Sequence, residues 1–148
     1  MSAGQPGEDG ILVVGGGAVG LAFAAACSGG VRVLDSGEAR PASDPEHFDI
    51  RVFALSAGSR DFLKEVDAWH RLPPDRIAAV TRMEVFGDDG KSRLDFALPG
   101  GRPLAWIVEG NRLSRAIEES ARDRGVTICR DARAQSISSR AGAAGGAL

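Results

Sequence analysis

The segment Gly15-Gly16-Gly17-Ala18-Val19-Gly20 constrains this chain more than any other. It fits the pattern G-x-G-x-x-G, which is weak evidence when it stands alone. Its surroundings sharpen it. Ile11 to Val14 is a short, all-apolar, β-branched-rich run and predicts a central parallel strand buried on both faces. Ala18 to Ser28 is Ala-rich and predicts a helix, which Gly29-Gly30 stops. Val31 to Leu34 predicts a second strand that ends at Asp35. Strand, glycine turn, helix, strand and acid in that order describe a βαβ unit with a right-handed crossover.

Each part of the unit has a physical task. Gly15 permits the tight turn. Gly17 leaves the backbone open to a pyrophosphate, which a Cβ would block. Gly20 lets the helix lie close on the strand. Ala18 and Val19 open the helix, whose N-terminus offers N–H groups and a partial positive charge to phosphates. Asp35, with Ser36 beside it, is placed to accept hydrogen bonds from the adenosine ribose hydroxyls. An acid there disfavours a 2′-phosphate and so NADP at this loop. The pattern does not separate FAD from NAD.

Composition closes off other classes. Eighteen Lys and Arg face 20 Asp and Glu, a net charge of −2, which excludes a general electrostatic nucleic-acid binder. Two cysteines, Cys27 and Cys129, cannot build a disulfide framework or a four-ligand zinc site, and both sit in apolar runs that predict burial. His47 and His70 give no metal spacing. That cysteine usage fits a reducing compartment, hence the cytoplasm. Residues 11–31 carry no charge, yet six of the 21 are Gly and Glu8 and Asp9 precede them, so a buried strand, turn and helix is expected rather than a transmembrane span.

Along the rest of the chain, residues 1–9 read as a flexible terminus and 36–50 as a loop rich in Pro, Ser and acids. Ser56 or Ser59 caps a helix that carries Phe62, Leu63, Val66 and Trp69 on one face. Val80 to Phe86 and Arg93 to Leu98 predict a hairpin around Asp88-Asp89-Gly90. Leu104 to Val108 is strand-like. A helix starts at about Asn111, its N-cap, and carries Leu113, Ala116, Ile117 and Ala121. Gly125 stops it and Val126 to Cys129 predicts one more parallel strand. Residues 132–148 are low-complexity and predict a disordered tail. The expected fold class is α/β: a Rossmann-like βαβ unit with a parallel sheet and an inserted β-hairpin, over residues 10–131, as an incomplete domain.

ILVVGGGAVGLAFAAA, then FDIRVFALSAGS, then the stretch from Met83 through LAWIVEGNRLSRAI resemble the N-terminal portion of a known family. It is the FAD-dependent aromatic hydroxylases of ubiquinone biosynthesis, within the class A flavoprotein monooxygenases related to p-hydroxybenzoate hydroxylase. The resemblance runs from about Ile11 to Ile128. It implies FAD as cofactor, NAD(P)H as transient reductant and a prenylated phenol as substrate. It is compatible with association at the inner-membrane surface or with a ubiquinone-biosynthesis complex. The family's acid-x-Arg-x-x-Ala-Leu element matches Asp49 through Leu55, which implies that Arg51 sits beside the FAD. A polar residue before a Leu at the start of the later helix implies cofactor contact by Asn111 and Arg112, while Trp106 falls where the family carries an aromatic residue or His. A surface salt bridge of Arg51 with Asp49, a capping role for Asn111 and core packing of Trp106 are the simpler alternatives.

The interval from Gly20 to Asp35 is shorter than the family's by roughly one helical turn, so the first helix or its return loop is trimmed. The family's later Asp-Gly and Gly-Asp-Ala elements and its substrate-covering sheet have no counterpart in these 148 residues. The expectation is an FAD-binding portion that is inactive alone. The alternative is a small self-contained NAD-binding module, dehydrogenase-like or regulatory.

Overall fold

The computed structural model describes residues 10–38 and 47–138. The terminus expected at 1–9, residues 39–46 of the acidic loop and 139–148 of the tail lie outside the described residues. Residues 132–138 form neither helix nor strand.

The first three elements follow the sequence closely. β1 (Ile11–Val14) leads into α1 (Ala18–Ala26), and β2 (Val31–Leu34) returns parallel to β1 with Ile11 opposite Val31 and Val14 opposite Leu34. The helix is two residues shorter than Ala18 to Ser28 suggests: Cys27 is already extended, with ψ 147°, and Gly29 takes φ +101°. Near the other end of the chain, β8 (Thr127–Cys129) pairs parallel with β2, Leu34 opposite Cys129. The sheet order is therefore β1-β2-β8.

β2, not β1, is thus the central strand among the described residues. Val31 and Val33 are buried, whereas Ile11, Leu12 and Val14 are 39–57% exposed. The apolar run of β1 is a strand as expected, but not one buried on both faces. Among the described residues no strand pairs with the other edge of β1, and its side chains are only partly covered.

Between β2 and β8 the chain builds a second layer. β3 (Val52–Leu55), α2 (Ala57–Glu65), β4 (Ile77–Val80), the hairpin β5 (Arg82–Phe86) and β6 (Arg93–Ala97), then β7 (Ala105–Glu109) and α3 (Gly110–Asp123) follow in order. β7 is the centre of an antiparallel sheet, β3-β7-β4. Ser56 caps α2 as expected, its Oγ accepting the Ser59 N–H at 3.2 Å. Leu63 and Val66 are buried below it, while Phe62 remains 37% exposed and Trp69 falls in a 3-10 turn. The hairpin carries a charged face, with Arg93 on Glu84 at 2.7 Å, and an apolar face of Met83, Val85, Leu94 and Phe96 that stays open to solvent. Cys27 and Cys129 are half-buried free thiols, less enclosed than their apolar neighbours suggest.

α3 buries Leu113, Ala116, Ile117, Ser120 and Ala121, the spacing of one helix face. That face packs against α1, whose Leu21, Ala24 and Ala25 are fully buried. Ser120 Oγ donates to the Val66 carbonyl, and Arg124 Nε donates to the Ala25 carbonyl at the end of α1 at 2.6 Å. Gly125, at φ +83°, ends α3 as the sequence predicts.

Two glycines of the first turn differ sharply in what surrounds them. A Cβ on Gly20 would lie 2.1 Å from the Gly15 carbonyl oxygen, whereas a Cβ on Gly17 would meet nothing within 4 Å. Gly20→Ala should therefore destabilise the fold by about 1–3 kcal/mol through overpacking. Gly17→Ala, at φ −71°, should leave the melting temperature within a degree or so of the parent, or raise it slightly. Thermal melts of both variants check this; a Gly20→Ala protein as stable as the parent would refute the close approach.

Candidate functional site

The glycine turn, Asp35 and Ser36 come together at the C-terminal ends of β1 and β2. Gly15 has φ +105° and its N–H donates to the Leu34 carbonyl at 2.8 Å, so the turn starts pinned to β2. Gly16 is buried against Asp35: a Cβ there would lie 2.6 Å from Asp35 Oδ2. Gly20 crowds the Gly15 carbonyl, as helix-on-strand packing requires. Gly17 is the N-cap of α1 and no side chain caps the N-terminus. Ala18 and Val19 form the first turn beyond it, and Val19 is 84% exposed. Of these glycines, Gly17 is the one that neither its φ nor any protein neighbour explains.

Asp35 is held on several sides. Its N–H donates to the Cys129 carbonyl at 2.9 Å and its carbonyl accepts from Ala132 N–H at 3.0 Å. Oδ1 accepts from Gly37 N–H at 3.3 Å, and Oδ2 is paired with Arg130, a residue the sequence did not single out. The signal was there in part: Leu34 opposite Cys129 makes Asp35 and Arg130 the next residues of two adjacent parallel strands. That register is invisible until β8 is known to join β2. Ser36 is exposed beside them.

A second cluster forms where α3 begins. Asn111 is not its N-cap; Glu109 holds that position, and the capping carboxylate comes from Asp49. Asp49 Oδ2 accepts the Asn111 N–H at 2.9 Å and Oδ1 accepts the Arg51 N–H at 3.0 Å. The Gly110 N–H donates to the Arg51 carbonyl at 2.8 Å. Gly110 suits this close approach, since a Cβ would come within 3.2 Å of both that carbonyl and the Phe53 ring. Asn111 turns its Oδ1 to the Arg112 N–H at 2.6 Å.

Glu109 ties the cluster together. Oε1 accepts from Arg76 Nε at 2.8 Å and from Arg112 Nε at 2.9 Å, and Oε2 accepts the Asp49 N–H at 2.7 Å. The Glu109 side chain is 5% exposed, with Arg76 at 11% and Arg112 at 9%. Burial alone would raise the Glu109 pKa, but the donors Arg76, Asp49 N–H and Arg112 outweigh it and hold the carboxyl below its ordinary value. Asp49 is lowered too, first by the Arg51 N–H, against the opposing effect of burial. Arg76 and Glu109 carried no motif in the sequence.

Arg112 is therefore packed onto Glu109. The Arg51 side chain is 83% exposed, 3.9 Å from Asp49, so it reaches outward from a fixed backbone. Trp106 is 9% exposed, in edge contact with Trp69 at 6.2 Å and beneath the Arg60 guanidinium at 4.0 Å, which is core packing. An open apolar groove of about 580 Å³ is lined by Ala18, Val19 and Phe23 of α1, Phe53 and Leu55 of β3 and Leu113 of α3.

The chain is 28% identical to the ubiquinone hydroxylase UbiM of Neisseria meningitidis serogroup C / serotype 2a over 118 residues, covering 74% of this chain and 25% of that protein. The resemblance to the ubiquinone hydroxylases holds. No family model matches the chain. Among solved structures, 2-methyl-3-hydroxypyridine-5-carboxylic acid oxygenase superposes with a TM-score of 0.65 at 21% identity, covering 84% of this chain and 32% of that one. The Diels-Alderase PyrE3 of pyrroindomycin biosynthesis superposes with a TM-score of 0.64 at 22% identity, covering 90% and 28%. These likenesses establish the fold, a Rossmann-like α/β unit with a parallel sheet and antiparallel additions. The chain spans about a quarter of the length of the curated relative it matches.

The lowered carboxylates make the second cluster pH-dependent. Their contribution to stability is complete above the ordinary glutamate value of 4.5 and is lost as the pH falls below it toward the folded-state values. Glu109→Gln leaves two nearly buried guanidinium groups without their counter-charge and should cost about 3 kcal/mol at pH 7. The gap between parent and variant should begin to narrow below pH 4.5 and close as the pH passes the lowered folded-state value, where the parent's native carboxyl is also protonated. Denaturant titrations at pH 7 and at acid pH measure both; a gap independent of pH contradicts the charge assignment.

Proposed function

We propose that these residues are the ADP-binding portion of an FAD-dependent monooxygenase that hydroxylates an aromatic ring in ubiquinone biosynthesis. The observation that carries this reading is Gly17. Its φ is ordinary and no described residue comes within 4 Å of the place of its missing Cβ. The space lies at the uncapped N-terminus of α1, where an approaching pyrophosphate needs it. Gly15, Gly16 and Gly20 shape the turn, Ala18 and Val19 present the helix N-terminus, and Asp35 with Ser36 faces the ribose. The donor set therefore fits the ADP half of FAD.

Bound FAD would supply the electron transfer and oxygen chemistry, with NAD(P)H as transient reductant. The chain's own part is to bind and orient. Arg51, exposed on a backbone fixed by Asp49 and Gly110, offers a guanidinium to the cofactor's anionic middle. Asn111 stands beside it at the start of α3. Arg112 contributes by fixing Glu109 rather than by free reach. The identity to the ubiquinone hydroxylase supports a prenylated phenol as the substrate of the whole enzyme, and the reading is of a cytoplasmic enzyme, compatible with association at the inner-membrane surface. Among the described residues no helix is long and apolar enough to cross a membrane.

Gly17→Val should abolish binding of ADP and FAD while the variant still melts cooperatively, because only the ligand meets the new side chain. Asp35→Ala should weaken ADP binding by at least about tenfold, as loss of charge-assisted hydrogen bonds demands. Calorimetry on the purified 148-residue chain tests both, and a Gly17→Val protein that binds like the parent would sink the assignment. A chain that binds NAD but stays colourless with FAD would favour a small NAD-binding module instead.

Hydroxylation must hold the flavin ring against the substrate and exclude water. The residues placed here reach the ADP half and the middle of the cofactor. The 148-residue chain given FAD, NADPH, oxygen and a prenylated phenol should therefore form no hydroxylated product above the free-flavin background. Mass spectrometry of the products decides; turnover would show that these residues carry a complete site.

A further inference from the structure

Arg130 follows β8 and lies between two carboxylates on different elements. Its Nη1 donates to Asp35 Oδ2 at the end of β2, and its Nη2 donates to Glu118 Oε2 on α3. The three side chains are 13%, 17% and 16% exposed, respectively. The Nε is buried with no hydrogen-bond partner among the described residues. A guanidinium that leaves a buried donor unsatisfied bears a desolvation cost for the arrangement it holds. Glu118 is anchored in turn by Arg122 at 2.9 Å, so the Arg130 end of the link does not drift.

We infer that Arg130 is a positioning residue that fixes the Asp35 carboxylate for the ribose hydroxyls of an adenine dinucleotide. The inference rests on the reading of Asp35 as the ribose acceptor. An aspartate at a strand end can turn about two side-chain torsions. Here Oδ2 is held between Arg130 and Gly16, where even a Cβ would not fit. Oδ1 is the oxygen on the exposed side, with only the long Gly37 N–H bond of 3.3 Å. The carboxylate thus stands fixed before the ligand arrives, and a hydroxyl bond to it loses less rotamer entropy on binding. Arg130 also returns positive charge beside an acid that would otherwise face Glu118 across the same space.

The test pairs a protein change with a ligand change in the full 148-residue chain. Calorimetry measures ADP against 2′-deoxy-ADP for the parent, Arg130→Met and Arg130→Lys, with a thermal melt of each. In the parent, removal of the 2′-hydroxyl should weaken binding about tenfold. In Arg130→Met the penalty should fall below about threefold, because an unheld carboxylate gains little from the hydroxyl. Lys keeps the charge but cannot bridge both carboxylates in one plane, so Arg130→Lys should fall between the two. A merely structural arginine would lower the melting temperature or weaken both ligands alike and leave the ratio unchanged. A parent-like ratio in either variant that melts cooperatively overturns the inference alone. A parent that ignores the 2′-hydroxyl overturns Asp35 as the ribose acceptor, and a parent that binds neither ligand overturns the nucleotide reading itself.

Discussion

A methyl group on Gly20 would enter the Gly15 carbonyl oxygen at 2.1 Å, and much of the fold depends on the approach that its absence allows. α1 can rest directly on β1 only because this crossing point holds no side chain. The helix axis then runs away from the strand ends and its N-terminus faces the turn. Gly16 takes the remaining space beside Asp35, so helix, turn and acid are set by close contacts of the glycine backbone with the Gly15 carbonyl and the Asp35 side chain. The buried face of α1 is built from Leu21, Ala24 and Ala25, and α3 packs on α1 with a buried face that includes Ala116 and Ala121. Small residues on both helices let them lie close, which carries the geometry of the turn into the second layer.

The second cluster is organised by charge instead of by missing side chains. Glu109, Arg76, Arg112 and Asp49 would each be costly to bury alone. Together they satisfy one another and cap a helix whose own N-cap side chain does no capping. The backbone of the strap at 49–51 is tied down: the Asp49 N–H donates to Glu109, the Arg51 carbonyl accepts from Gly110 N–H and the Arg51 N–H donates back to Asp49. That leaves the Arg51 side chain to extend into solvent. The simple alternative of an Arg51–Asp49 salt bridge is therefore only a loose 3.9 Å contact. Asp49 is engaged chiefly by backbone N–H groups.

The parts of this fold that were legible in sequence are those whose causes are local. The turn at Gly15, the helix after it, the hairpin around Gly90 and the stop at Gly125 each depend on a few neighbouring residues. What was hidden depends on pairing across long stretches of chain. The run at Ile11–Val14 reads as central because its residues are apolar, yet burial depends on neighbours that its own sequence does not describe. β4 is only four residues, IAAV, between a 3-10 turn and a hairpin, and becomes a strand by pairing with β7. Asn111 looks like a cap by type and position, but the N-cap is Glu109, two residues earlier, and Asp49, 62 residues from Asn111, supplies the carboxylate. Arg130 had no motif at all, since its meaning comes from strand order.

α3 connects the two clusters. Its first turn is capped by Asp49 and its Glu118 meets Arg130 and hence Asp35. Asn111 and Glu118 are seven residues apart, about 10 Å along a helix, so one rigid element spaces the region of Arg51 from Asp35 and its partner Arg130. A likeness in fold carries no reaction with it. In this chain the spacing is built from a turn shaped by glycines, an acid paired with an arginine, and a helix that holds that arginine through Glu118. The glycine pattern alone does not aim the acid. The residue that does so lies 95 positions further on.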